Sequence, residues 1–207
     1  MTKLPIAKLH YLTQDLDHIS HQEMAATACS NGIRWIQLRI KKQSFAACLR
    51  IAEAVKDICA PYGATLIIND YVEIAASIGA HGVHLGKKDM PPQQARNILG
   101  PDAIIGGTAN TAEDVYHLQQ SGVDYIGLGP FRFTNTKEQL SPVLGLEGYR
   151  SILSGNITTP VIAIGGITPE DIPELLETGI HGIAVAGAIN LAADKKAATE
   201  SFLRLLD

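Results

Sequence analysis

The chain has 207 residues, 46% of them hydrophobic and 18% charged, which is the composition of a folded globular protein and not of a disordered one. Its formal net charge is −4 and no Lys/Arg stripe is interleaved with aromatics, so an extended nucleic-acid surface is not expected, and any anion must be held by local charge against the overall sign. No apolar run approaches the roughly 20 residues of a membrane helix, and the start, MTKLPIAKLHYLT, lacks the apolar core and cleavage site of a secretory leader, so neither membrane nor export is expected and a cytoplasmic location follows.

Short runs rich in Val and Ile recur along the chain: LHYLT (9–13), WIQLR (35–39), TLIIND (65–70), GVHLG (82–86), AIIGGTA (103–109), YIGLGP (125–130), VIAIGGI (161–167) and GIAVAGAI (182–189). Each is bounded by Gly, Pro, Asn or Asp and followed by a stretch of helical period. The runs do not alternate cleanly between polar and apolar residues, which marks strands covered on both faces, as in a parallel sheet. Between them, Ser20 with Glu23 and Asp70 with Glu73 read as capping boxes, and Thr111 and Thr168 as N-caps before acidic first turns. Gly32, Gly79, Gly122 and Gly179 each follow an apolar helical stretch, where a left-handed residue ends a helix. Cys29, Cys48 and Cys59 fall in helix-like segments without metal-ligand spacing and read as reduced core residues. Eight strand–helix units without a linker predict an α/β fold, a single (β/α)8 TIM barrel over residues 1–207, with an open doubly wound sheet as the alternative.

In such a barrel the chemistry sits where strands end. The second run ends in Gln37, Arg39 and Lys41, which share one face of an extended chain and together suit a phosphate or diphosphate, although Lys41-Lys42 also resembles a solvated turn. The third ends in Asn69-Asp70 and the fourth leads to Asp89. Each carboxylate alone reads as a helix cap. On adjacent strand ends beside a diphosphate, the pair suits Mg2+, which keeps waters and takes few protein oxygens. His81 and His84 lack a third ligand of zinc spacing, and His84 is expected to face the barrel interior. The fifth run ends in Gly106-Gly107-Thr108, which allows close backbone approach and supplies a hydroxyl. The sixth leads into GPFRFTNTK, which presents Arg132, Thr134, Asn135, Thr136 and Lys137 within six residues. The seventh and eighth end in Gly165-Gly166 and Ala186-Gly187, a common phosphate cradle of this fold. The pattern predicts two anions: a monophosphate near the sixth to eighth strands and a metal-bound diphosphate near the second to fifth.

QLRIK, the Asn69-Asp70 pair, HLGxxD, GPFRFTNTK, AIGGI and the eighth ending resemble the thiamin-phosphate synthase (thiamin-phosphate pyrophosphorylase) family, in order over nearly the whole chain. The resemblance implies condensation of 4-amino-2-methyl-5-hydroxymethylpyrimidine diphosphate with 4-methyl-5-(2-hydroxyethyl)thiazole phosphate, by departure of pyrophosphate and capture of a pyrimidine methylene cation by the thiazole nitrogen. It implies that Gln37, Arg39, Lys41, Asn69 and Lys137 hold the pyrimidine diphosphate, and that Thr108 supplies a hydroxyl where the family usually has Ser. It further implies one Mg2+ per subunit on Asp70 and Asp89. Thr134, Asn135 and Thr136, with backbone at Gly166, Ala186 and Gly187, would hold the thiazole phosphate, while Arg39, Lys41, Lys137 and Thr108 act in catalysis. The departures are Lys87 for the usual Gln, Gly187 for the usual Ser, and Arg132 with the stretch 137–149 in the sixth loop. The partners expected are small-molecule substrates, and a homo-oligomer is left open. The alternatives are a thiazole tautomerase-like isomerase, which needs no diphosphate–metal site, and a non-catalytic barrel, which would keep the cradle and lose the carboxylates. A phosphosugar isomerase would need a base opposite its substrate, and the sequence offers no such pair.

Overall fold

The computed structural model describes residues 4–134 and 141–206. Eight parallel strands run in chain order and close on themselves, β8 pairing with β1. They are β1 (Leu9–Leu12), β2 (Trp35–Leu38), β3 (Thr65–Asn69), β4 (Gly82–Leu85), β5 (Ile104–Ala109), β6 (Tyr125–Leu128), β7 (Val161–Ile164) and β8 (Gly182–Val185). The connecting helices are α1 (His21–Ser30), α2 (Phe45–Cys59), α3 (Val72–Ile78), α4 (Pro92–Leu99), α5 (Ala112–Gln120), α6 (Gly145–Leu153) and α7 (Ile172–Glu177), with α8 (Gly187–Asn190) and α9 (Lys195–Leu206) closing the fold. Among the described residues no helix is long and apolar enough to cross a membrane.

The lack of polar alternation in the strands has a direct cause, since both faces are covered. One set of strand residues, including Ile36, Leu38, Leu66, Ile68 and Ile126, packs outward against the helices with the buried Cys29, Cys48 and Cys59. The other set, Leu12, Trp35, Ile67, Ile104, Tyr125, Ile162 and Ala184, fills the barrel interior. Two inward glycines make room there. A Cβ on Gly106 would lie 2.2 Å from Tyr125 Cζ, and one on Gly127 would lie 3.0 Å from His84 Cε1.

Local signals that depend only on neighbouring residues form as expected. Ser20 and Glu23 make a reciprocal capping box, as do Thr111 with Asp114 and Thr168 with Asp171. The helix-ending glycines at 32, 79, 122 and 179 all have positive φ. Three expectations are corrected. Asp70 does not cap a helix with Glu73: it takes φ 68°, a conformation Asp tolerates better than most residues, and α3 starts from Tyr71 without a side-chain cap. Asp89 does not cap α4 either, because its carboxylate accepts from Gly86 N at 2.6 Å and closes its own turn. The eighth run is not strand throughout. It leaves the sheet after Val185 and forms the single turn α8, because an apolar run by itself does not separate a buried strand from a buried helical turn.

His10 is 1% exposed, stacks on Trp35 at 4.2 Å between ring centroids and meets Tyr125 edge-on at 4.9 Å. Burial, and then the neighbouring His84, hold its pKa well below the ordinary histidine range. Burial also lowers His21 and His81. A histidine depressed in the folded state takes up its proton more readily when unfolded. Its contribution to stability is therefore present above the unfolded pKa and lost as pH falls below it. Acidification from pH 7 to pH 5 is expected to lower the urea midpoint, and His10→Phe, which keeps the stack, should shrink that drop. An unchanged pH dependence in the variant would remove His10 as its source.

Candidate active site

At the C-terminal ends of the strands lies a cavity of about 770 Å³. β2 delivers Gln37, Arg39 and Lys41 to it on one face, while Leu38 and Ile40 pack into the outer core. The backbone past β2 is held by residues that the sequence patterns did not single out. Arg39 N donates to Thr13 Oγ1 at 3.0 Å and Lys41 N donates to Asp15 Oδ2 at 2.9 Å. His21 ties the two together, with Nδ1 2.8 Å from Thr13 Oγ1 and Nε2 3.2 Å from Asp15 Oδ1. Two cationic side chains are thereby presented from a braced strand extension and not from a loose turn.

The Lys41 ammonium is hydrogen-bonded to the Asp70 carboxylate, which the left-handed backbone at Asp70 turns toward the mouth. Asn69, 7% exposed, ends β3 beside it and lines the cavity. Asp89 faces the same space. Its carboxyl is pushed above the usual carboxylate range first by burial and then by contact with Asp70, against the opposing effects of the Gly86 N–H and Lys41. Two neighbouring carboxyls repel each other unless they share a proton or cations lie beside them, and Lys41 supplies one such cation. Among the described residues no group of three or more His, Cys, Asp or Glu side chains gathers as for a metal held by protein alone. A two-carboxylate pair fits the habit of Mg2+, which takes one or two protein oxygens and completes its shell with water and phosphate.

Across the floor, Thr108 Oγ1 lies 3.0 Å from His84 Nε2, and His84 Nδ1 lies 3.0 Å from Tyr125 Oη. His84 does face the barrel interior. Tyr125 was legible only as part of an apolar run, although it shares the inner face with Gly127 and Gly129 by strand alternation. Asn110 also lines the mouth, its amide bonded to the Gly129 carbonyl. Lys87 lines it too, with its ammonium paired to Asp114 at the start of α5, so this residue joins the fourth loop to the fifth.

On the opposite side, Thr134, Gly166, Ala186 and Gly187 line the same cavity. Gly165 and Gly166 have φ of 106° and 63°, which ends β7 and turns the chain across the mouth. Asn135, Thr136 and Lys137 lie outside the described residues. Arg132 is not directed at a ligand: it donates to Gly166 O at 2.7 Å and grips Asp171 with both terminal nitrogens, at 2.9 and 2.7 Å. Its backbone N–H donates to Gly165 O at 2.9 Å. Arg132 therefore clamps the sixth loop to the seventh and holds the glycine turn in place.

The model of the family described as thiamine monophosphate synthase matches residues 10–189. The chain is 52% identical over 202 residues to the thiamine-phosphate synthase of Phocaeicola vulgatus, covering 96% of this chain and 97% of that one. It is 50% identical over 204 residues to the enzyme of the same name from Bacteroides thetaiotaomicron, covering 97% and 98%. Among solved structures, the thiamine phosphate pyrophosphorylase of Pyrococcus furiosus superposes with a TM-score of 0.85 at 34% identity, covering 96% of this chain and 95% of that one.

Proposed function

The chain belongs to the thiamine monophosphate synthase family, and from that premise we propose how the mouth of its barrel carries out the reaction. Its activity is that of a thiamine-phosphate synthase, a transferase of thiamine biosynthesis. The substrates we assign are the aminopyrimidine methyl diphosphate and the hydroxyethylthiazole monophosphate. The observation that carries the site assignment is the arrangement of one cavity: cations and paired carboxylates on the β2–β4 side, and a glycine turn with a threonine hydroxyl on the β6–β8 side.

In this reading Gln37, Arg39, Lys41 and Asn69 bind the pyrimidine diphosphate, with Thr108 at the cavity floor and Lys137 on its phosphates. Thr134, Asn135 and Thr136, with backbone at Gly166, Ala186 and Gly187, bind the thiazole phosphate. Asp70 and Asp89 would hold Mg2+, which when bound supplies Lewis-acid stabilisation of the leaving diphosphate. The C–O bond to pyrophosphate breaks with its electron pair leaving on oxygen. The aminopyrimidine conjugates with the methylene cation that remains, and the thiazole nitrogen lone pair forms the new C–N bond. No proton need be removed, so no general base is required. Arg39, Lys41 and Lys137 act by stabilising charge that grows on the departing pyrophosphate, and both sides of the cavity act by holding the two rings within reach. The continuity of the barrel from β1 to β8 supports reading residues 1–207 as one catalytic domain, and the phosphorylated substrates support a cytoplasmic place of action.

Incubating the purified protein with both precursors and Mg2+ should yield thiamine phosphate and pyrophosphate in equal amounts. Absence of coupling, with or without metal, would sink the assignment. The Arg132 clamp gives a finer prediction. Arg132→Ala loosens the turn at Gly166 and should raise KM for thiazole phosphate about three- to five-fold, the scale of a partly exposed ion pair. KM for the pyrimidine diphosphate should not move. Equal rises in both would show that the clamp serves the whole barrel mouth and not the cradle.

A further inference from the structure

Tyr125 and His84 have no part in the chemistry above, yet they lead to Thr108, which does. Tyr125 is 1% exposed, and its ring lies against His84 with centroids 5.4 Å apart. A phenol has one hydrogen. Buried, that hydrogen needs an acceptor, and His84 Nδ1 lies 3.0 Å from the phenol oxygen, so the phenol donates to it. A neutral imidazole that accepts at Nδ1 carries its proton on Nε2. Nε2–H then donates to Thr108 Oγ1, at 3.0 Å. Thr108 accepts this bond, and its own single hydrogen is left to point into the cavity that Thr108 lines.

We propose that Tyr125 and His84 are positioning residues that fix the polarity of the Thr108 hydroxyl, so that it donates to the pyrimidine diphosphate and does not accept from it. The proposal rests on the substrate assignment above. The chain runs in one direction, Tyr125 to His84 to Thr108 to ligand. A donor at Thr108 suits a ring-nitrogen lone pair or a phosphate oxygen. It rejects the exocyclic amino group, which is itself a donor. The hydroxyl thus helps fix which way round the ring lies. The inward glycines fit this arrangement: a Cβ at 106 would collide with Tyr125, and one at 127 would press on His84 Cε1 at 3.0 Å.

The tautomer can be read without turnover. In protein labelled with 15N-histidine, the His84 signals, assigned by their loss in His84→Gln, should show a neutral ring protonated at Nε2. A ring protonated at Nδ1, or an imidazolium, overturns the proposal whatever the enzyme's activity. In calorimetric titrations with the metal and the pyrimidine diphosphate, Tyr125→Phe should weaken binding about three- to ten-fold, the scale of one hydrogen bond. Affinity for thiazole phosphate should stay unchanged. In a Thr108→Val background the same Tyr125→Phe change should cost nothing further. An equal cost in both backgrounds would make Tyr125 a packing residue and overturn the proposal. His84→Gln, which keeps an N–H for Thr108, should lose less affinity than His84→Leu; equal losses again count against it. If the labelled ring has the expected tautomer while pyrimidine diphosphate fails to bind at all, the substrate assignment fails and the polarity of the chain stands.

Discussion

Asp89→Asn is expected to lower Mg2+-supported turnover by a factor of about 10²–10³, the usual effect of losing one preorganised electrostatic stabiliser, while affinity for thiazole phosphate stays at its wild-type value. Asparagine is the informative substitution because the native carboxylate has two functions. It accepts the Gly86 N–H at 2.6 Å, and it neighbours the Asp70 carboxyl at the mouth. An amide oxygen can keep the first contact and cannot carry the charge of the second. Asp89→Ala removes both, so the fourth loop loses its closing bond together with the site's charge. The loss should be largest at low Mg2+, since a weakened site is partly refilled by mass action. Steady-state rates over a Mg2+ series, with separate titration of thiazole phosphate, check this. Full activity in the asparagine variant would mean that Asp89 only closes the turn at Gly86. The carboxylate pair would then have to be withdrawn as the metal site.

Trp35→Ala is expected to lower the unfolding free energy by about 3–5 kcal/mol, the cost of deleting a large buried aromatic and leaving a cavity. That is a large share of the roughly 5–15 kcal/mol by which domains are stable. Trp35 is wholly buried inside the barrel, stacked on His10 and edge-on to Tyr125 at 5.7 Å. The ring is enclosed by a closed sheet, whose strands cannot collapse into the space without breaking their hydrogen-bonded register. Urea unfolding measures the effect. Ile98→Ala on the exposed side of α4 provides the comparison, expected within about 0.5 kcal/mol of wild type. A loss under about 1 kcal/mol for Trp35→Ala would mean that the interior does not depend on that ring.

The eight strands and their helices were legible because their causes are local. Strands covered on both faces need apolar runs, and a capping box needs only residues i and i+3. Ser20, Thr111 and Thr168 formed such boxes. Asp70 with Glu73 carried the same signature and did not, because a competitor distant in sequence prevailed: the Lys41 ammonium, 29 residues earlier, meets the Asp70 carboxylate at the barrel mouth. Arg132 looked like one donor in a loop full of them. Its partner Asp171 stands 39 residues further on and holds its guanidinium with two bonds.

From the amino-acid order alone come the barrel, its strand ends and the residue types gathered there, since hydrophobic period and short-range capping are properties of contiguous chain. What each polar group does with its hydrogen bonds was decided only on closure. His84 meets Tyr125 and Thr108 from strands 41 and 24 residues away, and no pattern along the chain specifies such a meeting. A buried donor or acceptor must find a partner wherever the fold places one, so direction and polarity belong to tertiary structure, while the supply of groups belongs to sequence.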